Sequence, residues 1–327
     1  MTMNSDDVLA RLSDGQFHSE EALARHLGVS RTAVCKQVAA LADIGMEVER
    51  IRGRGYRIPD GLELLHSDRV RACLSDRAIA LLEQIHIHGQ IDSTNAALLR
   101  EQPPAAGRGR AMLAELQTQG RGRRGKTWVS PFACNLYLSM DWLFAGGVGE
   151  VEGLSLAIGV AVAEAIADSG LDSVSLKWPN DILFDGHKLG GILVELSGDA
   201  EGPCRVVVGV GLNVAMPAKS AATVDQAWTD LATARGGEAP SRNALAANVL
   251  NRCLPLLASY PEVGFSHWQD RWMRRDAFGD SPVTLTSASA TTHGVARGVD
   301  ERGLLLLETE SGLQRISGGE VSLRVRA

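Results

Sequence analysis

The sequence predicts an α+β protein in three parts: an N-terminal winged helix-turn-helix, a central mixed α/β region and a C-terminal small β-barrel. Three observations predict it. Two capped helical patterns meet at Gly28-Val29-Ser30 and lead into a glycine-rich cationic hairpin; a middle stretch mixes helix-period and strand-period segments; and short alternating strands parted by turn residues close the chain. The parts divide at 1–66, 67–275 and 276–327, the first boundary marked by Pro59-Asp60-Gly61 and a short connector, Leu62 to His66.

Taken in order, Ser19 caps a helix with Glu20 and Glu21 in its first turn, Ala22, Leu23 and Leu27 inward and Gly28 as its stop. Ser30 caps the next. There Val34, Val38 and Leu41 form the inward stripe, which leaves Arg31, Thr32, Cys35 and Lys36 outward, as on a recognition helix. Strands Glu47 to Ile51 and Tyr56 to Ile58 flank Arg52-Gly53-Arg54-Gly55, a wing whose Arg52 and Arg54 suit phosphates or the minor groove. Between Arg31 and Arg57 six basic residues face three acidic ones, against a net charge of −6 for the whole chain. DNA contact is therefore expected from this local patch.

In the central region the longest helix is expected from about Gly153 to Asp168, with Leu154, Ala157, Ile158, Ala161 and Ala165 on one face and Gly170 as its stop. Ile85-His86-Ile87-His88 reads as a strand with both histidines on a solvated face, since no third metal ligand lies nearby. Pro217 to Asp225 reads as a mobile loop. Gly294 to Glu308 and Ile316 to Arg324, broken at Asp300-Glu301-Arg302-Gly303 and Glu310-Ser311-Gly312, give the barrel.

A chain of 327 residues with 45% hydrophobic and 22% charged residues is long enough for two or three domains and a sizeable core. No apolar run reaches bilayer length and the polar N-terminus is no signal peptide, so a cytoplasmic protein without membrane contact is expected. Cys35, Cys73, Cys134, Cys204 and Cys253 stand far apart, which argues against a disulfide framework or a structural metal site.

Gly120 to Thr127, Gly-Arg-Gly-Arg-Arg-Gly-Lys-Thr, fits both G-x-G-x-x-G and the P-loop pattern. Three arginines would crowd a backbone cradle, and Trp128-Val129-Ser130-Pro131 does not open a helix. What remains is a flexible cationic loop with planar donors for phosphate or carboxylate. Downstream, Lys177-Trp178-Pro179-Asn180-Asp181 and Lys188-Leu189-Gly190-Gly191-Ile192-Leu193-Val194-Glu195 flank a turn at Asp185-Gly186, so a strand pair brings two lysines, an asparagine and an aspartate together.

In order and spacing these three motifs resemble biotin protein ligases, and the likeness extends to Asp92-Ser93-Thr94-Asn95, Gln117-Thr118-Gln119 and Gly209-Val210-Gly211-Leu212-Asn213-Val214. With its first 60 or so residues and its C-terminal segment, the chain resembles the long, bifunctional form that is also the biotin operon repressor. The resemblance implies a ligase domain of the class II synthetase-like type and an SH3-like barrel. It further implies that Ser93, Thr94, Asn95, Gln117, Gly120, Gly122 and Gly190 meet biotin, that Arg121 and Arg123 meet phosphate and carboxylate, and that Lys188 bridges the two. Arg124, Trp128, Lys177, Asn180 and Asn213 fall to the nucleotide, Trp228 to the adenine ring, and Asp181 to the incoming lysine amine or the adenylate. Biotin and ATP with Mg²⁺ are the implied reactants, and biotin carboxyl carrier protein and operator DNA the implied partners. A homodimer is implied when the chain is loaded with biotinyl-AMP.

The chemistry needs those residue types. Joining a carboxylate to an amine requires activation by ATP, and the two anions that must first meet need cations around them. On the residues alone two other readings stay open: a P-loop or dinucleotide-dependent enzyme, and a non-enzymatic DNA-binding regulator that senses a ligand. The first is disfavoured because the loop lacks its helix and no hydrophobic strand ends in a Walker-B-like aspartate.

Overall fold

The computed structural model describes residues 3–59, 61–198, 202–221, 223–224, 226–287, 290–318 and 322–325. Asp60 of the expected boundary and residues 222 and 225 of the expected loop lie outside them.

The N-terminal unit comprises α1 (Met3–Leu12), α2 (Glu20–Leu27), α3 (Arg31–Asp43), β1 (Glu49–Ile51) and β2 (Gly55–Arg57). Ser19 Oγ accepts the Ala22 N–H at 3.1 Å, Ser30 Oγ accepts that of Ala33 at 3.2 Å, and Gly28 takes φ 64° as its helix ends. Both helices therefore start and stop where the side chains dictate. The wing is shorter than expected, and it gains a third partner: Tyr56 exchanges backbone hydrogen bonds with His18 at 2.8 and 2.9 Å. α1 was not expected. Its buried Val8, Leu9 and Leu12 complete a core with Leu23, Val34, Val38 and Leu41 that also takes in Phe132 and Ala133 of the central region.

A buried polar lock reinforces that contact. Arg242 Nη1 donates to Glu115 Oε2 at 2.7 Å while Glu115 Oε1 accepts the Leu65 N–H at 2.6 Å, and Glu63 Oε2 accepts the Arg242 N–H at 2.5 Å. The connector is thus pinned to the central body.

The central region runs α4 (Ser67–Ala72), α5 (Asp76–Leu81), β3 (Leu82–His88), α6 (Thr94–Arg100), β4 (Gly109–Ala114), β5 (Leu136–Phe144), α7 (Leu154–Ala167), β6 (Ser175–Lys177), β7 (Asp181–Phe184), β8 (His187–Gly198) and β9 (Cys204–Leu212). α8 (Ala218–Ala221), α9 (Leu231–Ala234), α10 (Arg242–Val263) and α11 (Ser266–Met273) follow. Its sheet has the order β3-β4-β5-β9-β8-β7-β6, antiparallel except between β3 and β4. Strand alternation sorts the side chains into two faces. Leu138, Met140, Val206, Val208, Val210 and Leu212 join the core of α7 and α10, while Ser139, Asp141, Val207, Gly209 and Gly211 face the other way.

Two helical expectations change. α7 is buried on all sides, Leu156, Val160, Val162 and Ile166 included, so it is a core helix rather than an amphipathic one. The longest described helix is α10, 22 residues, hidden in the sequence by Pro255 and Pro261, each of which removes one ladder donor that burial of the helix overrides. His86 is exposed and His88 half-buried on β3, and no group of three or more metal-binding side chains occurs among the described residues.

The C-terminal part holds β10 (Pro282–Thr286), β11 (Thr291–Val299), β12 (Leu305–Thr309), β13 (Gly312–Ile316) and β14 (Ser322–Val325) as one antiparallel sheet in the order β13-β12-β11-β10-β14. Both expected turns are present, and β10 is an addition. Val283, Leu285, Leu307 and Leu323 belong to the same apolar cluster as the central core.

Candidate active site

A cavity of about 750 Å³ opens on the sheet face away from α7, roofed by the arginine loop and closed at one end by the C-terminal sheet. Its floor is bare backbone by necessity. A Cβ on Gly209 would lie 2.4 Å from Asn95 Oδ1, and one on Gly211 would lie 2.6 Å from the Trp128 ring.

The arginine loop is a tight hairpin: Arg121 bridges to Thr127, Gly122 N–H donates to Lys126 O at 2.7 Å, and Arg124 sits at φ 59°. The Trp128 N–H closes it onto Gly120 O at 2.8 Å. No helix follows the loop, as the proline predicted. Its arginines are aimed by partners: Arg121 Nη2 donates to Glu195 Oε2 at 3.1 Å, Arg123 Nη1 to Asn180 Oδ1 at 3.0 Å, and Arg123 Nη2 to the Gly318 carbonyl of the C-terminal part.

Lys188 reaches the cavity through an irregularity. Ile182 pairs with Gly190 but Leu183 pairs with Lys188, so Leu189 is an extra residue on β8. This bulge turns Leu189 into the core and switches Lys188 to the cavity face. Lys188 Nζ stands 2.6 Å from Asp181 Oδ1, Lys177 Nζ 3.5 Å from Asp181 Oδ2, and Lys188 Nζ 5.7 Å from the Trp128 ring centre. Backbone bonds from Lys188 N–H to Ala227 O (3.0 Å) and from Thr229 N–H to Lys188 O (2.9 Å) hold Trp228 at the rim. Asn213 Nδ2 donates to Thr229 O at 3.0 Å and steadies the same segment.

Among the described residues seven basic side chains line the cavity (Arg121, Arg123, Arg124, Lys126, Lys177, Lys188 and Arg324) against one acidic side chain, Asp181. Such crowding disfavours added positive charge. Burial pushes the Lys177 ammonium below its ordinary value, Asp181 opposes this, and neighbouring Lys188 adds to it. Burial likewise lowers Arg123, with Asp181 opposing and Arg124 adding. A polyanion relieves both effects.

Another stretch of the lining offers directional polar groups, and the charged side chain that partners them, Glu195, is the one that also takes up Arg121. Thr94 N–H donates to Gln117 Oε1 at 2.9 Å, Gln117 Nε2 donates to Ser130 Oγ at 3.1 Å, and Asn95 Nδ2 donates to Glu195 Oε2 at 2.8 Å. Ser93, the N-cap of α6, completes it.

The structure thus brings together every expected site residue of the central region but two. Gly120 lies behind Trp128 O and Ser130 Oγ, and Gly190 faces Leu212 and Ile182 in the core; Gly191, one residue on, lies on the cavity side, because strand alternation lets only one of an adjacent pair do so. Glu195, Ser139, Phe278, Arg324 and the Gly318 carbonyl were not singled out. The period of two in Gly209-Val210-Gly211 was an unused signal for the floor, whereas nothing local announces that C-terminal residues close the end.

On the N-terminal unit Thr32, Lys36, Arg52 and Arg54 are exposed, and Arg54 stacks 4.3 Å from the Phe17 ring centre. Arg31 is exposed and paired with Glu21 at 2.5 Å. Cys35 departs from expectation: it is half-buried, its Sγ 3.5 Å from Tyr56 Oη, because the wing folds back over that side of α3.

Residues 88–213 match the biotin/lipoate A/B protein ligase family, 278–324 the biotin protein ligase C-terminal domain and 5–57 an HTH domain. The chain is 40% identical over 97% of its length to the bifunctional ligase/repressor BirA of Salmonella typhimurium, covering 96% of that protein. It is 35% identical to the biotin–[acetyl-CoA-carboxylase] ligase of Paracoccus denitrificans, over 70% of this chain and 96% of that one. The Aquifex aeolicus biotin protein ligase solved with biotin and ATP superposes with a TM-score of 0.64 at 30% identity, covering 75% of this chain and all of that one.

Proposed function

We propose, from the premise that this chain belongs to the bifunctional biotin ligase/repressor family, that its cavity joins biotin to ATP as biotinyl-5′-AMP and then passes biotin to a lysine of a carrier protein. The chain is a biotin protein ligase with an N-terminal HTH domain. The observation that carries the residue-level reading is the mixed polarity of the cavity, seven basic side chains together with the uncharged directional groups of Ser93, Thr94, Asn95 and Gln117. Biotin has that polarity, with a cyclic urea at one end and a carboxylate at the other.

In this reading Thr94, Asn95, Gln117 and Ser93 hold the bicyclic ring, and the chain carboxylate points toward Lys188 and Arg121. A carboxylate oxygen attacks the α-phosphorus of ATP, the bond to pyrophosphate breaks, and Lys188 with Arg123 offsets the charge of both anions. The lysine amine of the carrier then attacks the mixed anhydride and AMP leaves with the electron pair. Asp181, held between two ammonium groups, acts as the positioning residue of Lys188 rather than as a base. Arg124, Lys177, Asn180, Trp128, Trp228 and Asn213 surround the nucleotide.

Mg²⁺ fits this cavity only as a companion of ATP. Among the described residues Asp181 is the one carboxylate lining it and is already paired, so the phosphates would supply the remaining oxygen ligands. When bound, the ion lowers the charge that the attacking carboxylate meets.

The carrier protein and operator DNA are the proposed partners, with Thr32, Lys36, Arg52 and Arg54 toward DNA and Arg31 flanking them. Two copies acting together would set two recognition helices on neighbouring half-sites. If the adenylate further steadies the arginine loop and that loop borders the interface between copies, filling the cavity lowers the entropic cost of dimerisation, and linkage makes dimerisation tighten adenylate binding equally. The outer half of β8, which beyond Ile192 pairs with no strand on its β7 side among the described residues and bears the exposed Leu196, offers an edge for such contact. Five free cysteines agree with a cytoplasmic setting, and no described helix is long and apolar enough to cross a membrane. Biotin-dependent exchange of labelled pyrophosphate into ATP tests the first half-reaction: exchange that needs biotin supports it, and exchange absent with Mg²⁺ present overturns it.

A further inference from the structure

The short helix α6, which carries Thr94 and Asn95, is fastened to β5 at both ends. At its start Ser139 Oγ lies 2.7 Å from Thr94 Oγ1 and 2.5 Å from Asn95 Oδ1. Two residues along the same face of β5 stands Asp141, wholly buried, with Arg110 Nη2 and Arg205 Nη2 each 2.6 Å from its Oδ2. These guanidinium groups do more than neutralise it. Arg205 Nη1 donates to Glu101 O at 2.7 Å, Arg205 Nη2 to Leu98 O, and Arg110 Nη2 to Gln102 O at 2.6 Å; Arg110 Nη1 also donates to Glu101 Oε2 at 3.0 Å.

Of these carbonyls only that of Leu98 lies within α6, where it also accepts the Glu101 N–H; Glu101 and Gln102 follow the helix, so two permanent cations hold its last turn and the segment that leaves it. The apolar seat of α6 is small: its buried members are Ala97 and Leu98 against Met112 and Val207. So thin a contact fixes the helix against the sheet but resists sliding along it poorly. The polar fastenings resist that motion, because moving α6 along its axis lengthens bonds at both ends together. A buried ion cluster is weak evidence of stability. Its geometric effect falls on the part of the cavity where hydrogen-bond direction matters most.

We propose that Asp141 and Arg205, with Arg110, are positioning residues that set the affinity for biotin's ring by fixing Thr94 and Asn95, without touching the ligand. This rests on the reading that Thr94 and Asn95 face biotin. Displacing a binding group by about 1 Å can cost up to about a hundredfold.

The test compares Arg205→Met and Asp141→Asn with Val160→Ala, a core change in α7 on the far face of the sheet, by biotin KM, ATP KM, kcat and thermal midpoint in pyrophosphate exchange. Arg205→Met is expected to raise biotin KM about tenfold while ATP KM and kcat stay within about twofold, with partial recovery in Arg205→Lys, which keeps the charge but loses the fork. Val160→Ala should lower the midpoint and leave biotin KM alone. If Arg205→Met does not fold, the isosteric Asp141→Asn carries the same expectation. An unchanged biotin KM, or biotin and ATP KM rising together as in a general loss of structure, overturns the proposal. Thr94→Val run alongside separates the two layers: unchanged biotin KM there overturns the ring assignment and this proposal with it, whereas a rise there without one in Arg205→Met overturns the positioning alone.

Discussion

Gly211→Ala should disable ligand retention through a single methyl group. The added Cβ would stand 2.6, 2.8 and 2.9 Å from Cε2, Cζ2 and Nε1 of Trp128, where carbon contacts favour about 3.5 to 4.0 Å. The backbone of β9 is held between β5 and β8, so the indole must move by about 1 Å. Overpacking of this kind costs about 1 to 3 kcal/mol. Trp128 closes the arginine loop onto Gly120, so that cost falls on the closed state, and biotinyl-adenylate should dissociate about five- to a hundredfold faster. Gly191→Ala is the internal control. Its Cβ would meet Lys188 Cε at 3.4 Å and Trp128 Cζ3 at 3.5 Å, close to ordinary contact, and a change within about 0.5 kcal/mol is expected. Stopped-flow tryptophan fluorescence on preformed adenylate complexes, with circular dichroism to verify folding, measures both. Equal dissociation rates for the two variants, or a wild-type rate for Gly211→Ala, would refute the reasoning.

Lys188→Ala should abolish most pyrophosphate exchange while leaving biotin bound, as followed by equilibrium dialysis, because the cation shared by the two reacting anions is gone. Arg123→Gly removes a charge-assisted contact worth roughly 1.5 to 3 kcal/mol, so adenylate should leave about ten- to a hundredfold faster, read as release in a filter assay. Asp92, beside Ser93, has its carboxyl held down to about 2 by hydrogen bonding to Arg100, opposed by burial and aided by the Ser93 N–H. A carboxylate depressed in the folded state adds stability that is complete above the ordinary 3.8 and is lost as pH falls through about 2. Because the pair is solvent-screened, Asp92→Asn should remove only about 0.2 to 1 kcal/mol, seen in urea midpoints at pH 5 and absent below pH 2. Arg54→Ala should weaken DNA binding across sequences alike and reduce the salt slope by about 1, measured by fluorescence anisotropy.

The parts of the molecule legible in the sequence are those set by local chemistry. Ser19 and Ser30 cap where short polar side chains precede apolar periodicity, and Asp185-Gly186 turns where both residues adopt positive φ, 48° and 73°. The parts that were not legible depend on long-range contacts. α10 tolerates Pro255 because its apolar face is buried against α7, and Lys188 faces the cavity only through a bulge that pairing with β7 imposes. Gly190 was chosen over Gly191 because a glycine pair does not reveal which member lies outward until the register is known. The cluster of Asp141 with two arginines joins residues from three strands whose adjacency no local pattern records.

The account's central claim, that this cavity activates biotin and hands it to lysine, is tested most directly by incubating the chain with biotin, ATP, Mg²⁺ and a biotin carrier domain and locating the added mass. A gain of one biotinyl group on a single carrier lysine, with AMP and pyrophosphate released in equal amounts and all of it lost in Lys188→Ala, is the predicted result. Transfer that persists undiminished in Lys188→Ala, or no carrier modification by the wild-type chain despite a folded carrier, would contradict it.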